Sequence, residues 1–446
     1  MRTPICDFVR AYAASDALRL HMPGHKGEPV LGPEALDITE IRGADVLYHA
    51  QGIIRESEEN AAALFGSART LYSAEGSSLC IRAMLQLAQL HARLRGLPPR
   101  IAAGRNAHRV FLEAAALLDL DVRWLGQGRE LLSCQIDLEE LEALLADPAA
   151  APAAVYVTSP DYLGNCVDIA ALAAVCHRHG ALLLVDNAHG TYLKFLSPSR
   201  HPLDMGADLC CDSAHKTLPV LTGGAYLHLA RTCPKELLPM AEQALALFAS
   251  TSPSYLILQS LDRTNAALDG ALPAQIRQAA DRVTALKDAL RQRGWVLVGD
   301  EPMKLTLCPK PRGFTGTALA SQLERQGIVA EFADPDYLVL MPGASTDAED
   351  FARLLWALDS VVPGKPIADL TPELPAPEPV LTPRQALLSP FETVAVQDAC
   401  GRILASPSVG CPPAVPILVC GERIGPEALR LFAYYGIDQI DVVLER

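Results

Sequence analysis

One lysine of this sequence stands where it could support covalent chemistry on an amine. Lys216 directly follows His215 and comes three residues after Ser213, just past a short apolar run, Gly206–Cys211. A second apolar run begins at Leu182 and ends at Asp186. Both runs predict buried strands of a parallel sheet, and such sheets bind ligands outside the carboxyl ends of their strands. A lysine and a carboxylate at that edge predict a pyridoxal phosphate site.

Lys216 and Asp186 would act on different parts of that cofactor. Lys216 would form the Schiff base with the aldehyde, and Asp186 would keep the pyridinium nitrogen protonated. A surface lysine or a strand-end aspartate is common without any cofactor. The combination of Ser-x-His-Lys with the Val-Asp-x-Ala-His-Gly run at 185–190 is what favours the cofactor site.

A phosphate-binding element is predicted at the start of the helix Ser77–Arg95. Ser77 and Ser78 follow Gly76 at this helix start. Free backbone N–H groups and the helix dipole favour an anion at such a place. Serines there are also common N-caps, so these residues by themselves leave both roles open.

The sequence resembles the ornithine/lysine/arginine decarboxylases, a family of pyridoxal phosphate-dependent enzymes. The motifs that carry the resemblance occur in the family's order: His21–Gly27, Ser73–Ser78, Arg105–His108, Thr158–Gly164, Val185–Gly190, Ser213–Lys216 and Thr251–Tyr255. Nearly the whole chain is covered, in the short form without an N-terminal wing domain. The resemblance implies an α/β fold of fold type I (aspartate-aminotransferase-like). This fold has a mainly parallel sheet in a large domain, a smaller α+β domain and a C-terminal α+β appendage.

The resemblance also implies roles for further residues. His108 would stack on the cofactor ring, His189 would lie near the phenolic oxygen, and Ser213 and His215 would lie near the phosphate. It also favours phosphate binding by Ser77 and Ser78. The predicted catalytic residues are therefore Lys216, Asp186 and His108. The predicted cofactor-binding residues are Ser77, Ser78, His108, Asp186, His189, Ser213, His215 and Lys216.

The function implied by the resemblance is decarboxylation of a basic L-amino acid, lysine, arginine or ornithine, to an amine that is a polyamine precursor. Either Lys216 or His108 could return a proton after carbon dioxide leaves. Another fold type I reaction, such as transamination or a different lyase reaction, would keep Lys216 and Asp186. A non-catalytic regulator derived from a decarboxylase is a further alternative, although pure binding requires neither residue.

Two positions depart from the family pattern close to the predicted cofactor. Asn187 stands where the common pattern has Glu after the Asp, and Gly223-Gly224-Ala225 replaces a more polar run. A change beside the cofactor could alter the substrate or even the reaction.

The pattern of the chain predicts five segments. They are an N-terminal arm (1–50), a large cofactor domain (51–272), a small α+β domain (273–362), a linker with seven prolines (363–383) and a C-terminal decarboxylase-like domain (384–446). Helix and strand patterns alternate through the large domain, as in a parallel sheet covered by helices. We expect a capping box of Thr346 and Glu349 before the last helix of the small domain. A strand is expected at Ala414–Val419.

Composition restricts the partners. The formal charge of −14 over 446 residues argues against nucleic acid or an anionic membrane surface. No run approaches the length of a membrane span and no export signal is evident, so a cytoplasmic protein is expected. The twelve cysteines show no Cys-x-x-Cys spacing, which predicts reduced thiols and no metal site. The expected partners are a basic amino acid and a second copy of the chain in a homodimer.

Overall fold

The computed structural model describes residues 1–126, 135–410 and 415–444. In the first part of the chain the elements are α1 (Pro4–Ala13), α2 (Ile53–Phe65), β1 (Arg69–Ser73), α3 (Gly76–Leu94), β2 (Arg100–Gly104), α4 (Arg109–Leu118), β3 (Asp121–Leu125), α5 (Leu138–Ala146), β4 (Ala154–Thr158), α6 (Ile169–Arg178), β5 (Leu182–Asp186), β6 (Leu209–Asp212), α7 (Ala214–Thr217), β7 (Ala225–Leu229), α8 (Ala241–Ala246) and α9 (Tyr255–Leu268).

The remaining elements follow in the second part of the chain. They are α10 (Leu272–Gln292), β8 (Val296–Val298), β9 (Leu305–Cys308), α11 (Gly316–Glu324), β10 (Phe332–Ala333), β11 (Leu338–Leu340), α12 (Ala348–Asp359), α13 (Pro383–Leu387), β12 (Phe391–Ala395), β13 (Ser408–Val409), β14 (Leu418–Val419), α14 (Pro426–Tyr434) and β15 (Gln439–Val443). Ala414, the predicted first residue of a strand, lies outside the described residues. Among the described helices, none combines the length and apolar character that a membrane crossing needs.

The chain divides into two compact units. The first contains residues 1–98, 153–155 and 169–274, and the second contains residues 99–152, 156–168 and 275–446. The domain boundaries expected from the sequence stay predictions.

Seven strands form one mixed sheet in the order β1-β7-β6-β5-β4-β2-β3. The pairs β5–β6 and β2–β3 are parallel, whereas β7 is antiparallel to both β1 and β6. The strands β5, β6 and β7 are buried along their whole length, as expected for strands covered on both faces. The predicted α/β fold with a mainly parallel sheet is confirmed.

The parallel pair β5–β6 determines where the polar residues of the first unit lie. Its register places Asp186 opposite Cys211, so the two strands end side by side. Alternate residues of a strand face opposite sides of the sheet. Cys211 therefore shares the face of Asp186, whereas Cys210 and Asp212 belong to the other face.

Helix α3 packs against this sheet. Gly76 begins the helix with φ +72°, a backbone conformation that glycine adopts without strain. A continuous apolar face follows, and its hydrophobic residues are fully or almost fully buried: Leu79, Cys80, Ile81, Ala83, Met84, Leu85, Leu87, Ala88 and Ala92. The helix packs against β1, β5, β6 and β7, which places its N-terminus near the strand ends.

Among its described residues, the second unit contains three smaller sheets, of which one has four strands and the others are the pairs β12–β15 and β13–β14. A four-stranded antiparallel sheet has the order β10-β11-β9-β8. It shares an apolar core with α10, α11 and α12 that includes Leu290, Trp295, Leu307 and Leu358. In the C-terminal part, β12 pairs antiparallel with β15 over a separate core around Leu404, Leu431 and Phe432.

The predicted capping box is wrong by one residue. Asp347 is the N-cap of α12, its side chain accepts from the backbone N–H groups of Glu349 and Asp350, and Asp350 completes the box. Thr346 instead accepts from the backbone N–H of Gly343 at 2.9 Å. Both residue types suit an N-cap, and the turn at Gly343 decides between them because it engages the threonine hydroxyl.

A buried ion pair fastens the C-terminal part to β2 within the second unit. Arg105 donates two parallel hydrogen bonds of 2.6 Å to the two carboxylate oxygens of Glu422. Both side chains are buried, and Glu422 also accepts from the backbone N–H of Val419 at 2.9 Å. A second attachment lies at α13, where Arg384 donates to the backbone oxygen of Ala116 in α4 at 3.0 Å.

We expect Glu422→Gln to destabilise the protein by about 3 kcal/mol, because it removes the negative charge from a buried, doubly hydrogen-bonded pair. The matched control is Glu392→Gln, which removes a partly exposed pair with Arg402 and should cost less than about 1 kcal/mol. Urea unfolding followed by far-ultraviolet circular dichroism measures both. Equal losses of unfolding free energy in the two variants would show that the buried pair contributes no more to stability than the partly exposed one.

Candidate active site

Lys216 lies in a short helix immediately after a buried strand. Strand β6 ends at Asp212, and α7 places the Lys216 ammonium nitrogen Nζ 3.1 Å from Nε2 of His189. An ammonium group can only donate, so Nε2 of the imidazole is the acceptor when Lys216 is charged. Lys216 is exposed and His189 is buried. The structure thus brings together two predicted site residues from the ends of β5 and β6, and the lysine remains accessible.

Asp186 is the buried carboxylate of the site, with 2% of its surface exposed. Its Oδ1 accepts from the backbone N–H of Ala188 at 3.2 Å and from the Cys211 thiol at 3.5 Å. Burial, and secondly the charge of Asp186, raise the pKa of the Cys211 thiol well above its ordinary value. Cys211 therefore stays protonated and can act as a donor to the carboxylate.

Two hydroxyl groups meet at the N-terminus of α3. Ser213 Oγ donates to Ser77 Oγ at 2.8 Å, which joins the start of α7 to the first turn of α3. Ser78 is the next residue of that turn and is half-buried. An anion at this place would meet hydroxyl donors, unpaired backbone N–H groups and the positive end of the helix dipole. Phosphate binding by these residues stays a prediction.

The loop between α7 and β7 approaches the same helix start closely. The backbone N–H of Gly76 donates to the backbone oxygen of Gly223 at 2.7 Å. A Cβ atom on Gly223 would lie 2.9 Å from the backbone oxygen of Ala74, and φ is +97° there. His215 is tied to this loop, because its Nδ1 lies 3.0 Å from the backbone oxygen of Gly224.

His108 belongs to the second unit. It is the N-cap of α4, where its Nδ1 accepts from the backbone N–H of Val110 at 3.3 Å, and its side chain is exposed. Asn106, from the same motif, donates to the backbone oxygen of Thr158 at 3.4 Å. The stacking role expected for His108 stays a prediction.

The residues of the first unit fit pyridoxal phosphate by their chemistry. Lys216 offers an amine for the aldehyde, and the hydroxyl pair Ser77–Ser213 offers donors for the phosphate. Asp186 offers a buried carboxylate for the pyridinium nitrogen, and His189 offers an imidazole beside the amine. Each reactive part of the cofactor thus has a residue of matching chemistry.

Sequence reasoning missed a buried polar group on the other face of the sheet. Asp212 is fully buried and accepts from His201, His228 and Asn187. An acidic residue at the end of an apolar run, directly before Ser213, was a usable signal. Its histidine partners are distant in sequence, and no spacing connects them.

The fold has known relatives among solved structures. The structure of the constitutive lysine decarboxylase of E. coli superposes with a TM-score of 0.78, covering 99% of this chain and 82% of that one at 18% sequence identity. At this identity the likeness shows the fold alone. The fold is therefore fold type I, the aspartate-aminotransferase-like fold.

Sequence comparisons show the family. A family model for the major domain of Orn/Lys/Arg decarboxylases matches residues 3–298, and one for the C-terminal domain matches residues 370–439. The chain belongs to the Orn/Lys/Arg decarboxylase family, and the expectation of an amino acid decarboxylase is confirmed at the level of class. The resemblance identified from the sequence motifs is thereby confirmed.

Two relatives from Bacillus subtilis (strain 168) match almost end to end. One carries the name "Uncharacterized protein YaaO" and is 30% identical over 460 residues, covering 96% of this chain and 93% of the relative. The other is named arginine decarboxylase and is 28% identical over 468 residues, covering 95% of this chain and 92% of the relative.

We expect Gly223→Ala to weaken binding of pyridoxal phosphate about tenfold or more, because the added Cβ displaces the loop that holds Gly76. The matched control is Gly436→Ala, where φ is +70° but nothing lies within 4 Å of the added atom. Both variants carry a backbone strain of about 1 kcal/mol, and only the first disturbs the site. Titration with the cofactor, followed by absorbance, measures the difference, and equal affinities would contradict it.

Proposed function

We propose that the protein decarboxylates a basic L-amino acid, with pyridoxal phosphate as its cofactor. The observation that carries the proposal is the placement of Lys216 beside His189, with the buried Asp186 at the end of the paired strand. Membership of the Orn/Lys/Arg decarboxylase family supports the reaction. Arginine, lysine and ornithine are the candidate substrates, and the relative named arginine decarboxylase makes arginine the first to test.

The roles of the protein residues follow from their positions. The cofactor, when bound, supplies an electron sink for the bond that breaks at the α-carbon. Lys216 would hold the cofactor covalently through its amine. Asp186, buried and hydrogen-bonded, would hold a proton on the ring nitrogen, since an opposite charge nearby favours the charged form of a base.

His189 is placed to move a proton at the amine of Lys216. The 3.1 Å distance between Nζ and Nε2 is within hydrogen-bond reach. An amine must lose its proton to act as a nucleophile, and an imidazole accepts protons near neutral pH. After carbon dioxide leaves, Lys216 or His108 would return a proton to the substrate carbon.

We also propose that the protein forms a homodimer. Five large apolar residues of the N-terminal arm are strongly exposed in the single chain, and a second copy could cover them: Leu18, Leu20, Met22, Val30 and Leu31, with 70% to 89% of their surface accessible. Large exposed apolar patches mark interaction sites, and these five residues lie close together in the sequence. The cytoplasmic location and the role in polyamine formation stay predictions.

The reaction is tested by product analysis with the Lys216→Ala variant. We expect the wild-type protein with pyridoxal phosphate to absorb visible light and to release one carbon dioxide per amine formed from a basic amino acid. Lys216→Ala should lose both signals because the covalent link cannot form. Lys194→Ala removes an amine that is paired with Asp204 and should keep both signals. Formation of a keto acid without carbon dioxide would instead indicate an aminotransferase, and absence of any turnover would favour a regulator.

Asp186→Asn tests the role of the buried carboxylate. The variant keeps the size of the side chain but removes its charge, so the ring nitrogen loses the partner that holds its proton. We expect turnover to fall by a few hundredfold, or roughly 3–4 kcal/mol in the barrier, with a smaller change in substrate binding. Single-turnover decay of the best substrate with cofactor-loaded variant provides the measurement. Decay near the wild-type rate would exclude the role assigned to Asp186.

A further inference from the structure

A second buried carboxylate lies at the end of the neighbouring strand, on the opposite face of the sheet from Asp186. Asp212 is the last residue of β6, its side chain is fully buried, and Ser213 follows it directly. Its Oδ2 lies 3.0 Å from Nε2 of His201 and 3.2 Å from Nε2 of His228. Its Oδ1 accepts from Asn187 Nδ2 at 2.7 Å, and the Cys210 thiol lies 3.7 Å away.

The hydrogen bonds of the two histidines identify their tautomers. His201 Nδ1 accepts from the backbone N–H of Leu203 at 3.3 Å, so the ring proton is on Nε2. Burial lowers the pKa of His228 below its ordinary value, and the neutral ring donates from Nε2 while Nδ1 accepts from the Thr70 hydroxyl at 2.8 Å. Both imidazoles are therefore neutral donors.

Asp212 is the charged member of this group. Burial by itself would raise the pKa of the Asp212 carboxyl, but His201 and His228 outweigh burial and hold the pKa below its ordinary value. Hydrogen bonds to an ionised acceptor are the strong ones, and removal of a charge from such a buried network is costly. Asp212 is therefore held firmly in one position.

A metal ion is the obvious alternative occupant of this group. His201, Cys210 and Asp212 place possible ligand atoms within 4.8 Å of one another. Both histidines, however, carry their proton on the Nε2 atom that faces Asp212, and burial raises the pKa of the Cys210 thiol well above its ordinary value. Metal binding requires these atoms to be deprotonated, so the observed hydrogen bonds favour a proton-ordered network over a metal site.

The network connects the two strand ends that carry the predicted active-site residues. Asn187 directly follows Asp186, and its backbone N–H donates to Cys211 at 3.0 Å while its side chain donates to Asp212. Asn187 Oδ1 is buried and has no hydrogen-bond partner among the described residues, at a cost of about 1–3 kcal/mol. A carboxylate at position 187 would face the ionised Asp212 at hydrogen-bond distance, whereas the amide can donate to it.

Helix α7, which contains Lys216, is too short to define its own position. It has four residues, and a single helical turn has little stability of its own. Its location depends on the residues around it. Asp212 lies two residues before the first residue of α7 and is bonded to two histidines and to Asn187. The Asp212 carboxylate thus joins the segment before Lys216 to Asn187, the residue that follows Asp186.

We propose that Asp212 is a positioning residue of the active site, which holds the Lys216 turn at a defined distance from Asp186 through Asn187, His201 and His228. The inference rests on the proposed cofactor function. It assigns no contact with substrate to Asp212.

The test compares Asp212→Asn with Asp208→Asn. Asp208, at the other end of the same strand, is also buried and bonds to the backbone N–H of Leu183 at 2.9 Å and to His177 at 3.0 Å. Both variants remove a buried carboxylate that binds a histidine, but only Asp212 lies beside Ser213. Each protein is titrated with pyridoxal phosphate, and the visible absorbance of the lysine-bound cofactor is followed from pH 6 to 10.

We expect Asp212→Asn to weaken cofactor binding about tenfold and to shift the pH midpoint of the absorbance by about one unit. Asp208→Asn should stay within about twofold of wild type in affinity. In the cofactor-free protein, hydrogen–deuterium exchange should increase in the segment 213–218 of Asp212→Asn and remain unchanged there in Asp208→Asn. This second measurement does not depend on bound cofactor.

The outcomes separate this inference from the proposed function. Absence of Lys216-dependent absorbance in the wild-type protein would overturn both the proposed function and the positioning role of Asp212. Normal absorbance in wild type, with Asp212→Asn unchanged or with both variants altered equally, overturns the positioning role alone. If Asp212→Asn does not fold, Asn187→Ala decides, because it removes one hydrogen bond to Asp212. Smaller changes of cofactor affinity and of the pH midpoint in Asn187→Ala, in the same direction, would support the proposal. Wild-type values in Asn187→Ala would contradict it.

Discussion

The parallel pairing of β5 with β6 is the constraint on which the site of the first unit depends. In its register Asp186 stands opposite Cys211, so both strands deliver their last residues to one edge. Because side chains alternate between faces, this edge presents a carboxylate to each side of the sheet. Asp186 faces one side, and Asp212 lies among histidines on the other. A shift of one residue in the register would exchange these environments.

Helix α3 and the loop before β7 complete this edge from other parts of the chain. The hydroxyl contact between Ser77 and Ser213 joins residues that are far apart in sequence. A side chain at Gly223 is not accommodated, because its Cβ atom would lie 2.9 Å from the backbone oxygen of Ala74. The glycines that depart from the family pattern at 223–224 thus have a steric reason in this structure. The departure at Asn187 has an electrostatic reason, because its side-chain amide can donate a hydrogen bond to the ionised Asp212.

The motifs of the second unit are held by buried charged groups. The ammonium group of Lys304 donates to the backbone oxygens of Asp161 and Tyr162, each at 3.0 Å, which fixes the turn in the motif Thr158–Gly164. Arg105 similarly serves as the anchor for Glu422 of the C-terminal part. These motif residues therefore have clear structural roles. The Lys304 ammonium is bonded to backbone oxygens and the Arg105 guanidinium is paired with a carboxylate, as burial of a charge requires.

The sequence by itself predicted many of the elements and the residues of the candidate site. Apolar runs of four or five residues predicted β4 and β5, and the residues that end β5 and follow β6 identified Asp186 and Lys216, because local pattern encodes burial and strand length. Tertiary structure decided what local pattern does not contain. It chose Asp347 over Thr346 as the cap of α12, since a neighbouring turn engages the threonine. It also gathered His201, His228 and Asn187 around Asp212, because partners of a buried charge are set by packing in space and not by spacing along the chain.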